Sequence, residues 1–120
     1  MNTDQLRNYC QSFKGATEKD SKHPSNILSF SIAEKKFAYF KTSEPEIWRF
    51  SIRVTPERFL ELTDQPGIKP ARYMHRFHWV TIINVQAMDE EYLKQLVLYS
   101  YQKAMSSLPK KTQNQWIESK

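Results

Sequence analysis

Cysteine occurs once in this 120-residue chain, glycine twice, and no apolar run approaches the ~18 residues of a membrane-spanning helix. Each shortage excludes something. The single thiol, Cys10, can form no internal disulfide and has no second cysteine with which to build a thiolate zinc site, a usage that fits a reducing cytoplasm. Gly15 and Gly67 are too few for a glycine-rich phosphate loop. No Gly-x-Ser-x-Gly turn and no paired histidine and acid stand out, so nucleophilic catalysis lacks its parts. The opening residues, MNTDQLRNYC, carry neither the basic nor the apolar portion of an export signal, and the expectation is a protein neither exported nor membrane-embedded. Acidic residues are missing altogether between Asp64 and Asp89.

What is present is positive charge. Eighteen Lys and Arg stand against 13 Asp and Glu, a net charge of +5, so the field of the folded chain attracts polyanions. The length suits one domain, residues 1–120, built on a single hydrophobic core. The acid-free run holds Lys69, Arg72, His75, Arg76, His78 and Trp79, a one-sign segment of the kind that contacts phosphate.

Periodicity outlines the elements. Leu6, Tyr9, Cys10 and Phe13 fall at i, i+3, i+4 and i+7, which predicts an amphipathic helix over residues 4–13 with Thr3 as its N-cap and Gly15 as its stop. Cys10 lies on the apolar stripe, where a buried inert thiol fits better than a nucleophile. The polar stretch ATEKDSKHPSN reads as a loop. From there the period changes to two: ILSFSIA (27–33), KFAYFKT (36–42) and IWRFSIRV (47–54) form an expected antiparallel meander. In the third segment Trp48, Phe50, Ile52 and Val54 share one face, while Arg49, Ser51 and Arg53 share the other. Thr55, Pro56 and Glu57 start a second helix, with Phe59, Leu60 and Leu62 on its buried side. HWVTIINV (78–85) reads as a fourth strand. A long helix over residues 89–108 carries Leu93, Leu96, Val97, Tyr101, Ala104, Met105 and Leu108 inward, and the tail after Pro109 can add a further helical turn. The fold class expected is α+β, a single antiparallel sheet with helices on one face. The opposite face is then open to water and presents Arg49 and Arg53.

FKGATE, KKFAYF, RFSIRVTPE, KPARYMHRFHWVTI and YSYQKAMSSLPKK, in this order and spacing, resemble the YjbR/MmcQ family over nearly the whole chain. The most specific part is Tyr73 to Trp79, followed by the helix bearing Ser100 and Tyr101. The resemblance implies a CyaY-like (frataxin-like) fold whose open sheet forms a double-wing surface, and a DNA-binding role. Three departures from the family pattern stand out. His75-Arg76-Phe77 replaces an Asn-Lys pair, KHPSN replaces a Phe-Pro-Phe-like element, and Ser51 with Arg53 replaces Asn-x-Lys.

Three functions compete at this point. The first is non-enzymatic, weak and largely sequence-independent binding of DNA through Arg49, Arg53, Arg72 and Arg76, with Lys69 and His78 nearby. Trp79 either packs against the sheet or stacks on a base or sugar. The second is an interaction module whose open sheet holds an acidic protein partner or an added strand. The third is a small metal-dependent enzyme built on His75 and His78, which lack the third and fourth ligands that zinc requires. The expectation is a monomer without cofactor or bound metal that contacts no membrane.

Overall fold

The computed structural model describes residues Met1–Glu118. Its helices are α1 (Thr3–Gln11), α2 (Pro56–Thr63), α3 (Glu90–Ser106) and α4 (Lys110–Glu118). Its strands are β1 (Ala16–Ser21), β2 (Ile27–Ile32), β3 (Lys35–Lys41), β4 (Phe50–Arg53), β5 (Ile68–Pro70) and β6 (Trp79–Ile82). All six form one antiparallel sheet in the order β1-β2-β3-β4-β6-β5. The α+β class, the open sheet and the helix-covered face are as the sequence predicts.

Sheet register sorts the side chains into rows of opposite character. Leu28, Phe40, Phe50, Ile82 and Ile68 lie side by side across β2, β3, β4, β6 and β5, and all are buried. They join Leu6 and Cys10 of α1, Leu62 of α2 and Leu93, Leu96 and Val97 of α3 in a single core. Phe30, Phe37, Phe40 and Phe50 are fully buried, and each contributes roughly 1.5–3 kcal/mol by leaving water. One position along, Lys19, Ser29, Tyr39, Ser51, Thr81 and Lys69 form a second row across all six strands. Because successive side chains of a strand point to opposite faces, this row belongs to the side away from the helices.

Caps and edges depart from the sequence reading. Asn2, not Thr3, caps α1: its side chain accepts from the Gln5 backbone N–H, and the Gln5 side chain accepts from the Asn2 N–H in return. Thr55 caps α2 as expected, accepting from the Arg58 N–H at 3.1 Å. The expected loop over ATEKDS is β1, an edge strand whose polar residues conceal its period. Arg7 of α1 grips it by donating two hydrogen bonds to the Glu18 carboxylate, at 2.7 and 2.8 Å. At the other edge β5 has only three residues and ends at Pro70, a residue compatible with an edge strand. β4 begins at Phe50 and not at residue 47, because Trp48 takes a left-handed backbone (φ 64°) and is 41% exposed. Leu60, expected inside, is 72% exposed on the outer side of α2.

Ser100 accounts for one further feature of the sheet. A hydroxyl from α3 is inserted where β3 and β4 begin to part: it donates to the Phe37 carbonyl at 2.6 Å and accepts from the Arg53 N–H at 3.1 Å. It thereby replaces a ladder hydrogen bond and satisfies two backbone groups of the splayed strands. Its neighbour Tyr101 packs against Phe13 with ring centroids 4.6 Å apart and donates to the Lys14 carbonyl at 2.6 Å.

Candidate nucleic-acid interface

The open sheet face is concave. Ser51 and Thr81 are short side chains in mid-sheet, joined by a hydroxyl–hydroxyl hydrogen bond of 2.8 Å, and Tyr39 and Lys69 flank them in the same row. A hollow of about 470 Å³ results. Its walls come from β3, from the loop that precedes β4, and from β5 with the residues that follow it. Five cations line it, Lys36, Lys41, Arg49, Lys69 and Arg72, against one carboxylate, Glu46.

Glu46 lies 3.6 Å from both the Arg49 and the Arg72 guanidinium. It therefore ties the loop before β4 to the loop after β5 and offsets part of the positive charge. The Lys36 ammonium stands 5.6 Å from the Tyr39 ring centroid, a cation–π distance. Lys36 is exposed, and only its partial withdrawal from water, with the charge of Lys19 second, lowers its pKa from the ordinary value. An anion arriving in the hollow would offset the shift by favouring the charged ammonium.

Of the residues singled out from sequence, Arg49, Lys69 and Arg72 meet in this hollow. The others do not line it. Arg53 lies across from Trp79 at the far end of β4. Arg76 lies on an exposed turn, its guanidinium carbon 5.6 Å from the Phe77 ring centroid. His78, left-handed at φ 65°, turns its ring edge-on to Phe59 of α2 at 5.7 Å, towards the helix side. Trp79 is 4% exposed and packs against Tyr39 with centroids 5.8 Å apart, so packing and not stacking on a ligand is what its ring does here. Tyr39, Lys36, Lys41, Glu46 and Tyr73 are the residues the sequence reading missed. The alternation in AYFK was a usable signal for Tyr39 and Lys41, which fall on the face opposite Ala38 and Phe40, whereas Lys36 is out of phase with them and nothing local marks Glu46 as a neighbour of Arg72.

Among the described residues no three His, Cys, Asp or Glu side chains stand together as metal ligands. Cys10 is buried in the core, and burial pushes its thiol above the ordinary cysteine range. No helix of the described residues is long and apolar enough to cross a membrane.

An open antiparallel sheet backed by helices on one side makes this an α+β protein of the open-sheet kind. The YjbR family model matches residues 11–103, and the chain belongs to that family. A crystal structure of a Deinococcus radiodurans protein with a DUF419 domain is similar to it at TM-score 0.80 and 24% identity, covering 96% of this chain and 87% of the other. A Pseudomonas syringae protein is similar at TM-score 0.68 and 21% identity, covering 87% and 99%. At these identities the likeness concerns the fold. No curated protein matches the chain.

Proposed function

We propose that this YjbR protein is a non-catalytic DNA binder, acting as a monomer in the cytoplasm, that holds phosphate groups in the basic hollow of its open sheet. One observation carries the reading: among the described residues, five cations are gathered around a single carboxylate on the concave face of the sheet, opposite the core that α1, α2 and α3 cover. Ion-pair attraction to phosphates is independent of base sequence, so the affinity expected is modest, on the order of 10⁻⁴ to 10⁻⁶ M at physiological salt. Strand addition by a protein partner is the weaker reading. β1 is heavily charged and β5 is short and ends at a proline, and both features discourage pairing at a sheet edge.

Salt titration of binding to labelled random-sequence DNA tests this. With one of the five cations offset by Glu46, about four phosphates are neutralised, and log K falls against log salt with a slope of roughly −3 to −4. Lys41→Ala combined with Lys69→Ala removes two contacts and flattens the slope by about two units. Arg53→Ala with Arg76→Ala lies outside the hollow and leaves the slope nearly unchanged. Wild-type slope and affinity in the Lys41/Lys69 variant would rule out the hollow as the DNA site.

A further inference from the structure

Resting on that reading, we infer that the hollow takes an unpaired base, so that the preferred ligand is single-stranded and not duplex DNA. The first argument is shape. A volume of about 470 Å³ is that of a small-ligand pocket, whereas backbone tracking along a duplex needs only a charged surface. A duplex keeps its bases stacked inside and offers a concave wall only its phosphates. A single strand can turn a base inward while its phosphates stay at the rim.

The second argument is the lining. Between the cations lie Tyr39, Ile27, Pro70, Tyr73 and Met74, an aromatic and apolar surface for which a phosphate has no use. Cations interleaved with rings are the composition of single-strand sites, where bases stack and the charges follow the backbone. Tyr73 is 81% exposed and sits at φ 69°, a conformation that bulky side chains rarely adopt. The backbone there holds a ring out at the mouth of the hollow that packing does not require. The Tyr39 ring has Trp79 beside it and the Lys36 ammonium near it. A base arriving on this ring displaces the ammonium towards the phosphate that accompanies the base.

The third argument is the floor. Ser51 and Thr81 have two hydroxyl hydrogens, and their mutual hydrogen bond uses only one. The other can be donated to a base edge, as the acceptor lone pairs can receive from one. Thr81, the less buried of the two, is placed to make that contact.

The experiment compares three labelled probes at equal, low salt with the wild-type protein: an oligothymidylate, a duplex of the same length, and an abasic oligodeoxyribose phosphate of the same charge. The single strand should bind at least about tenfold more tightly than the other two, the scale expected when one base stacks on an aromatic ring. Tyr73→Ala, at an exposed position, should reduce that ratio several-fold and leave the salt slope unchanged. Tyr39→Leu, checked for folding by its thermal transition, should do the same. Lys69→Ala should instead flatten the slope and keep the ratio. Equal binding of strand, duplex and abasic probe would overturn the base-pocket inference while leaving backbone binding intact. No binding of any probe at low salt would overturn both.

Discussion

Glu46 and Lys36 govern the hollow at the scale of single residues. Glu46 stands between Arg49 and Arg72, where on the proposed reading it competes with phosphate, and partly exposed pairs of this kind are each worth about 0–1 kcal/mol. Glu46→Gln removes the internal competitor, so DNA affinity should rise about two- to tenfold, read by fluorescence anisotropy at fixed salt. A fall in affinity would show that Glu46 serves to position the arginines. Lys36 behaves differently. Its pKa is lowered by withdrawal from water and by Lys19, so the charged form is disfavoured by folding. The folded pKa lies below the unfolded one. The charged ammonium therefore costs a little stability at neutral pH, kept small because Lys36 is exposed, and the cost fades as pH rises through the folded pKa towards the ordinary lysine value. Lys36→Met keeps the stem over Tyr39 and removes the charge, so it should hold or raise the thermal midpoint at pH 7 while weakening DNA binding. A midpoint lowered by several degrees would contradict this account. If the hollow binds DNA as proposed, the same shift should make wild-type affinity decline at a lower pH than an ordinary lysine would, read by titrating binding against pH.

At the scale of elements, Ser100 joins α3 to the gap between β3 and β4. Ser100→Ala leaves the Arg53 N–H and the Phe37 carbonyl without their partner, and a stranded buried group costs about 1–3 kcal/mol. Urea unfolding should show a loss of at least ~2 kcal/mol with little change in slope against denaturant. A loss below about 0.5 kcal/mol would mean that β3 and β4 close up and pair directly. The elements also show where sequence is readable. α1, α2 and α3 could be located from caps and apolar spacing, since helix signals are local and repeat within a few residues. β2, β3 and β4 could be located because each has one face in the core, which imposes alternation. β1 and β5 could not: at the sheet edges one strand buries almost nothing and the other has only three residues.

Across the whole molecule, net charge and binding charge are different quantities. The chain carries 18 Lys and Arg, yet the salt slope expected on the proposed reading is that of about four phosphates, the number the cations lining the hollow would neutralise. The helix side has its own arrangement, exemplified by Arg58, which donates to the Tyr92 hydroxyl at 2.8 Å on the surface joining α2 and α3. On the proposed reading the basic excess would supply long-range attraction, and the fold would select which charges make contact.

The sequence alone determined the α+β class, the three main helices, the inner strands, most of the core and the existence of an open face bearing arginines. All of these follow from patterns that repeat within one element. It also marked Arg49, Lys69 and Arg72. Only the tertiary structure decided that these three meet, that Tyr39, Lys36 and Lys41 join them, that Trp79 is buried, and that His78 faces α2. It alone brought Glu46 into a region whose own stretch of chain has no acid. The physical reason is register. The row Lys19, Ser29, Tyr39, Ser51, Thr81 and Lys69 is set by hydrogen bonds between strands distant in sequence, and no spacing within any one of them encodes which residue comes to lie opposite which.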